Sequence, residues 1–520
     1  MDGGVAAGPE ELERQGRAAY VRHDYDAVID LWERAYAGHR AAGDDAGAVR
    51  LARDIASLHG VFRGDWAVAG GWLARARRLG DGAGPRERGW VALTTGMFEL
   101  DRRRKDELYR EAMAAAGEAG DGPLQLITMS YYGASLVHGD QVADGMQLLD
   151  EALAAVSAGE VADPVGVEEI FCQLFSACEV AYDVDRADQW LRVGTALAAR
   201  VELPAVSAYC HTHFGGVMTA AGRWSEAERS LLEGIRLWNL SRRSLGAASA
   251  ARLADLRVRQ GRFEEAEALL AELNEDVDSA RPRAALALAA GDEGRAREVL
   301  ERALGQVEED GLAAVPLLSQ LVEVHLAAGH VEQARDAMGR LGADTAGRTP
   351  YAAAVAALAR GQIAAASGEP GAASHLRDAL EEFARAQLPL ESARVRMELA
   401  RACAAERPAL AVEEARRALQ VFRELQATRY ADEATALLRS LGVRTPGARS
   451  PELLTAREAE VLELLGLGLS NRQIAERLVL SAKTVEHHVS RILAKLGLRN
   501  RSEAAAYAVR NPGAKVAGAD

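Results

Sequence analysis

The side chains best placed to do chemistry lie near the C-terminus, in SAKTVEHHVSRILAKL over residues 481–496. Val485, Val489, Ile492 and Leu496 recur at i, i+4, i+7 and i+11, which lays one apolar stripe along a helix for burial. Lys483, Glu486, His487, Ser490 and Ala494 fall on the other side. A helix of this width fits the DNA major groove, and short polar side chains near its N-terminus reach base edges. The chemistry expected here is hydrogen bonding to bases and phosphates.

No other grouping in the 520 residues offers comparable chemistry. Lysine occurs only at Lys105, Lys483, Lys495 and Lys515, never in the Gly-Lys-Ser/Thr context through which a P-loop ammonium reaches phosphates. Cys172, Cys178, Cys210 and Cys403 show no CxxC spacing, which excludes a disulfide framework and that kind of zinc or redox motif. Redox sensing by Cys172 and Cys178 would need exposure and a basic neighbourhood. His211 and His213 stand two apart; on a helix they point in nearly opposite directions and cannot share an ion. His487 and His488 read as DNA-facing or structural before pH-sensing. Nothing resembles a G-x-S-x-G elbow or a kinase signature. The expectation is no enzyme, no catalytic residue, no metal and no cofactor. Trp66, Trp72, Trp90, Tyr131, Tyr132, Trp190, Phe214, Trp224 and Trp238 crowd the first half and read as core more readily than as a ligand pocket.

Four short helices must position the 481–496 stretch. Thr455-Ala456-Arg457-Glu458 is a capping box opening a helix with Val461, Leu462, Leu464 and Leu465 inward, which ends near Gly466–Gly468. Ser470 caps a second helix that buries Ile474, Ala475 and Leu478, and Ser481 caps the third, which runs to about Leu496 before Gly497. Asn500-Arg501-Ser502-Glu503 repeats the capping-box pattern before a fourth helix carrying Ala504, Ala505 and Ala508. The second and third helices, joined by a short turn, have the dimensions of a helix-turn-helix.

The stretch LTAREAEVLELLGLGLSNRQIAERLVLSAKTVEHHVSRILAKLGLRNRSEA resembles the LuxR-type (GerE-like) DNA-binding domain, without a gap over residues 454–509. The matching features are the Leu-Thr-x-Arg-Glu opening, Ser470-Asn471, Ile474-Ala475, Ser481, Thr484-Val485, His488, Ile492 and Lys495-Leu496-Gly497. The resemblance implies that the third helix is the recognition helix. Lys483, Glu486, His487 and Ser490 would then read bases. Asn471, Ser481, Thr484, His488, Arg491 and Lys495 would meet phosphates, together with amides at the start of the second helix. The resemblance also implies a dimerisation face on the fourth helix. Glu486 stands where some relatives have Lys; it fits a cytosine amino group, or it only trims non-specific phosphate attraction. Ser490 is uncharged too, so the grip per monomer is modest and useful affinity calls for a dimer.

Residues 10–441 read differently. Their clearest unit is a helix ending in small residues, a Gly turn and a second amphipathic helix. Examples are TAAGRWSEAERSLLEGI from Thr219, VRQGRFEEAEALLAEL from Val258, LAAGDEGRAREVLERAL from Leu288 and LAAGHVEQARDAM from Leu326. The turn glycines Gly222, Gly261, Gly291, Gly329 and Gly368 are spaced 39, 30, 38 and 39 apart; earlier turns near Asp24, Asp65 and Lys105 are spaced 41 and 40. Glycine supplies a left-handed helix cap, and the following Ala227, Ala266, Ala296 and Ala334 let paired helices approach closely. One pair cannot bury its apolar face alone, so pairs must stack into a superhelix with a concave surface. The pattern resembles tetratricopeptide repeats, with units longer than their usual length of about 34 residues. An irregular helical bundle is the competing reading.

The expected fold class is all-α. A tetratricopeptide-like α-solenoid spans 10–441, and a linker, GVRTPGARSPELL with Pro446 and Pro451, spans 442–454. A four-helix LuxR-type helix-turn-helix domain spans 455–510, and a disordered polar tail spans 511–520. Composition agrees: aromatics are 5% and prolines only 14, as in a helical protein of more than one folding unit. The acidic N-terminus has no apolar h-region, and no run of about 18 uncharged apolar residues occurs, so a cytoplasmic location without membrane contact is expected. Residues 451–510 carry nine Lys+Arg against seven Asp+Glu, while residues 1–450 carry 52 against 68. That asymmetry suggests a nucleic-acid module on a non-binding body. The whole also resembles actinobacterial LAL-class regulators, without the ATPase module that some of them place before the repeats. The implied partners are double-stranded DNA, a second copy of the chain on DNA, an unknown protein or small-molecule effector at the repeats, and RNA polymerase. The competing functional reading is an interaction scaffold whose terminal domain docks on protein.

Overall fold

The computed structural model describes residues 7–443 and 456–510, apart from 23, 140, 162, 199–207, 242–245, 309–310, 343–346, 479, 497 and 499. The expected linker from residue 444 on, Thr455, Gly497 and the tail at 511–520 therefore lie outside the described residues. The chain divides into two compact units, 1–432 and 433–520, a division that falls inside the helix Thr428–Ser440. Every regular element among the described residues is helical.

In the first unit, helices pair across short turns and the pairs stack. Ala208–Ala220 packs on Trp224–Ser241, and Ala247–Gln260 packs on Phe263–Ala271. The first helix of each pair also packs on the first helix of the next pair, from Gly122–His138 through to Pro389–Cys403. This is the stacking a tetratricopeptide-like solenoid requires. The turn glycines do what their positions call for: Gly222, Gly261, Gly291, Gly329 and Gly368 all have φ between 67° and 80°. At Gly261, the N–H groups of Gly261 and Arg262 return to the carbonyls of Val258 and Arg257, which satisfies the helix end. Ala227, Ala266, Ala296 and Ala334 are fully buried. A larger side chain there would force the paired helices apart.

Carboxylates set many of the helix boundaries, among them two near the expected early turns. Asp24 caps Tyr25–Ala42 by accepting from the Ala27 N–H. The turn expected near Lys105 lies earlier: Asp101 caps Arg102–Ala119 through the Arg104 N–H, which leaves Lys105 inside the first turn. Trp224 and Trp238 are core residues. Trp90 takes the Arg53 guanidinium over its ring at 4.5 Å and donates to Asp121. Trp66 departs from the core reading; it is 57% exposed and meets Phe98 edge-on. His211 bonds Ser230 on the outer helix of its pair, whereas His213 bonds Glu179 on the preceding inner helix. The two rings thus serve different interfaces. All four cysteines are buried and unpaired by disulfide. No helix among the described residues is long and apolar enough to cross a membrane.

Candidate nucleic-acid interface

The second unit contains four helices, Ala456–Gly466, Asn471–Leu478, Ala482–Leu496 and Arg501–Arg510. The first helix packs on the third and the fourth, and the second packs on the third. One apolar core joins them: Val461, Leu462, Leu465, Ile474, Val485, Ile492 and Ala504 are buried. The caps are local. The Gln473 N–H donates to Ser470 Oγ at 3.4 Å while Gln473 Oε1 accepts from the Ser470 N–H at 2.8 Å. The Thr484 N–H donates to Ser481 Oγ at 3.1 Å, and the Glu503 N–H to Asn500 Oδ1 at 2.9 Å. The Ser481 cap fixes the start of the third helix, and its buried Val485, Val489 and Ile492 set which face it turns outward.

On that face Lys483, Glu486, Ser490 and Arg491 are exposed. The Ser490 hydroxyl donates to the Glu486 carbonyl at 3.0 Å, which leaves its oxygen lone pairs outward as acceptors. Ser481, Lys483, Thr484, His488 and Arg491 line one shallow concavity. Within it Ser481 Oγ and Thr484 Oγ1 share a hydrogen bond of 2.7 Å. His488 Nδ1 is buried and has no hydrogen-bond partner among the described residues. An oxyanion seated there would find hydroxyls, an imidazole and a guanidinium together. His487 and Lys495 lie on the third helix, but their side chains fall outside the described ones. Asn471 stands apart from this concavity, at the start of the second helix.

Two arginines that charge counting treats as available hold the fold instead. Arg501 donates to Asn471 Oδ1 and to the Leu469 carbonyl. Arg457 donates to the Leu478 carbonyl and pairs with Glu460 at 2.6 Å. Each sits in the first turn of its helix, where the helix dipole disfavours a cation. That placement is the sequence signal for an unseen acceptor. The side-chain oxygen of Asn471 accepts from Arg501, so an anion at this end would be met by donors, the backbone N–H groups of the helix start and the Asn471 amide nitrogen.

The family model described as bacterial regulatory proteins, luxR family, matches residues 452–508. The chain is 54% identical over 57 residues to the transcriptional regulatory protein LnrK of Bacillus subtilis (strain 168), a match covering 11% of this chain and 26% of that protein. It is 53% identical over 55 residues to the DNA-binding transcriptional activator DevR/DosR of Mycobacterium tuberculosis (strain ATCC 25618 / H37Rv), covering 11% and 25%. The chain thus spans about a quarter of the length of these curated relatives. A solved structure of the APC/C hetero-tetramer Cut9-Hcn1 superposes with a TM-score of 0.36 at 13% identity, over 83% of this chain and 96% of that one, too loosely to bear on this fold. Residues 452–508 are a LuxR-type helix-turn-helix domain, joined in one chain to a tetratricopeptide-like helical body.

Proposed function

We propose that the chain is a sequence-specific DNA-binding transcription regulator. In this reading the helix Ala482–Leu496 lies in the major groove. Lys483, Glu486, His487 and Ser490 face base edges. Ser481, Thr484, His488, Arg491, Lys495 and the backbone at Asn471 follow the phosphates. The observation that supports this most is the exposed face of the third helix, where Lys483 and Arg491 meet no carboxylate among the described residues. Cations without an acid partner bind DNA by releasing its condensed counterions. The names of the relatives, a transcriptional regulatory protein and a DNA-binding transcriptional activator, point the same way.

Two copies bind together, on half-sites about one helical turn apart, because a recognition helix with Glu486 and Ser490 on its reading face grips weakly alone. The helical body receives the signal, carried by a protein or a small molecule, and RNA polymerase is a further partner. The chain works in the cytoplasm and is not an enzyme.

The test uses the full chain on a selected operator and on a scrambled copy of it. His487→Ala is expected to lose about 1–3 kcal/mol on the operator and little on the scrambled duplex. Lys495→Ala is expected to weaken both alike and to lower the salt slope by about 1. Equal losses on both duplexes for His487→Ala would sink its base-reading role.

A further inference from the structure

The repeats make contacts that stacking of neighbours does not require. The extensive helix–helix contacts join each helix to the next one or two along the chain. Beyond these, side chains several pairs apart also meet. Arg102 pairs with Glu308 at 3.0 Å, and Arg259 with Glu391 at 2.8 Å. Tyr182 stacks on Tyr351 with ring centroids 3.7 Å apart. Gln387 donates to Asp185 at 3.2 Å, and Thr428 to the Gln260 carbonyl at 2.9 Å. Successive turns of the superhelix therefore touch along a seam within the first unit. The seam is narrow and mostly polar, whereas neighbouring repeats are joined by buried Leu, Val and Ala.

Two features mark the residues of the seam. Among the described residues, Tyr182, Gln387 and Gln426 are the non-glycine residues with positive φ, at 54°, 58° and 59°. Tyr182 and Gln387 make seam contacts themselves, and Gln426 follows Leu425, which faces the turn at Gly222. Each closes a helix end, where the N–H groups of Tyr182, Gln387 and Gln426 return to the carbonyls of Glu179, Ala384 and Arg423, so three helix ends are fixed where the seam forms. In addition, Arg281 Nε and Glu391 Oε2 are buried beside Tyr351 with no hydrogen-bond partner among the described residues. Buried polar atoms of that kind are stabilised when water reaches them. Opening the seam would let water reach both atoms.

We propose that this seam is a latch. The body closes where Tyr182, Asp185, Gly222 and Arg259 meet Tyr351, Gln387, Pro389 and Glu391, and it opens when the superhelical turns part there. The shift between the two states is the body's conformational response. Its role rests on the reading of the body as the signal-receiving part, but opening is measurable whether or not the chain binds DNA.

Two glycines form a matched pair for the test. Gly222 and Gly291 both have φ of 77°, so Ala strains the backbone equally at each. A Cβ on Gly222 would lie 2.7 Å from Pro389 Cγ and 2.8 Å from Leu425 Cδ2, across the seam, whereas one on Gly291 would meet nothing within 4 Å. Spin labels at Glu264→Cys and Asp432→Cys in the full chain would report the span across the seam by pulsed dipolar spectroscopy. Gly222→Ala is expected to shift the distribution to longer distances, while Gly291→Ala leaves it as in the parent. The same distribution in both variants would overturn the latch. If Gly222→Ala does not fold, Gln387→Glu decides: it sets a second carboxylate against Asp185 at an exposed position. A longer span supports the latch, and an unchanged span overturns it.

Discussion

The body and the third helix of the terminal unit differ in what their cations meet. In the body, guanidiniums are matched to carboxylates on other helices: Arg252 to Glu179 and Asp278, Arg259 to Glu391, Arg394 to Glu323. In the terminal unit Arg457 and Arg501 cap carbonyls, while Lys483 and Arg491 stand exposed with no acid partner among the described residues. These three cations are therefore neutralised within the body. Those of the third helix remain available to a polyanion. The net charge of a segment is a coarse guide to its partners; the pairing state of each cation is the finer one.

The sharpest way to break this contrast is to remove a matched cation. Arg259→Met leaves Glu391 buried without its partner and is expected to cost about 3–5 kcal/mol, read from urea unfolding of the full chain. A loss below about 1 kcal/mol would mean that the pair does not hold the body together. Ile492→Ala makes a cavity in the terminal core, at an expected cost of about 2–5 kcal/mol. Hydrogen exchange should then quicken over residues 456–510 and stay unchanged in the body, and an equal rise in the body would show that the units do not behave separately.

Two half-buried glutamates sharpen the comparison inside the body. Burial raises the Glu169 carboxyl to about 7, against the opposing pull of Arg53. Its folded pKa lies above the ordinary 4.5, so the stability it contributes is lost as pH rises through 7. Burial also works against Glu179, but the Arg252 guanidinium and His213 outweigh it and hold that carboxyl at about 2. Its contribution is present above 4.5 and is lost as pH falls toward 2. Glu169→Gln should therefore stabilise the chain by roughly 1–3 kcal/mol at pH 8 and by almost nothing near pH 4.5. A gain of the same size at both pH values would contradict the assignment.

The smallest effects on stability belong to the unmatched cations. Lys483→Ala and Arg491→Ala should each change it by less than about 0.5 kcal/mol. Arg491→Ala should lower the salt slope of DNA binding by about 1, while Lys483→Ala should narrow the preference for an operator over a scrambled duplex. Loss of stability with neither change in binding would show that these side chains serve the fold instead.

Local features of both units were legible in the sequence because they depend on residues three or four apart. Ser470, Ser481 and Asn500 announce their helices through caps, and Val485, Val489 and Ile492 mark the buried face by period. The Gly turns and the buried Ala at Ala227, Ala266, Ala296 and Ala334 gave the repeat in the same way. Contacts between distant residues were not legible. Arg501 reaches Leu469, Arg259 reaches Glu391, and Tyr182 reaches Tyr351, and no helical period carries information about such pairings. The charge count over 451–510 was misleading for that reason, since Arg457 and Arg501 face inward acceptors. The buried Nδ1 of His488 was equally hidden, because it depends on how the third helix sits in its unit.

The most direct test of the central claim is genomic-fragment selection with the full chain, followed by salt titration of the best fragment against a scrambled duplex. The account predicts tighter binding to the selected fragment, with affinity for both duplexes falling steeply as salt rises. Equal affinity for the selected and scrambled duplexes, or no binding to either at low salt, would contradict it.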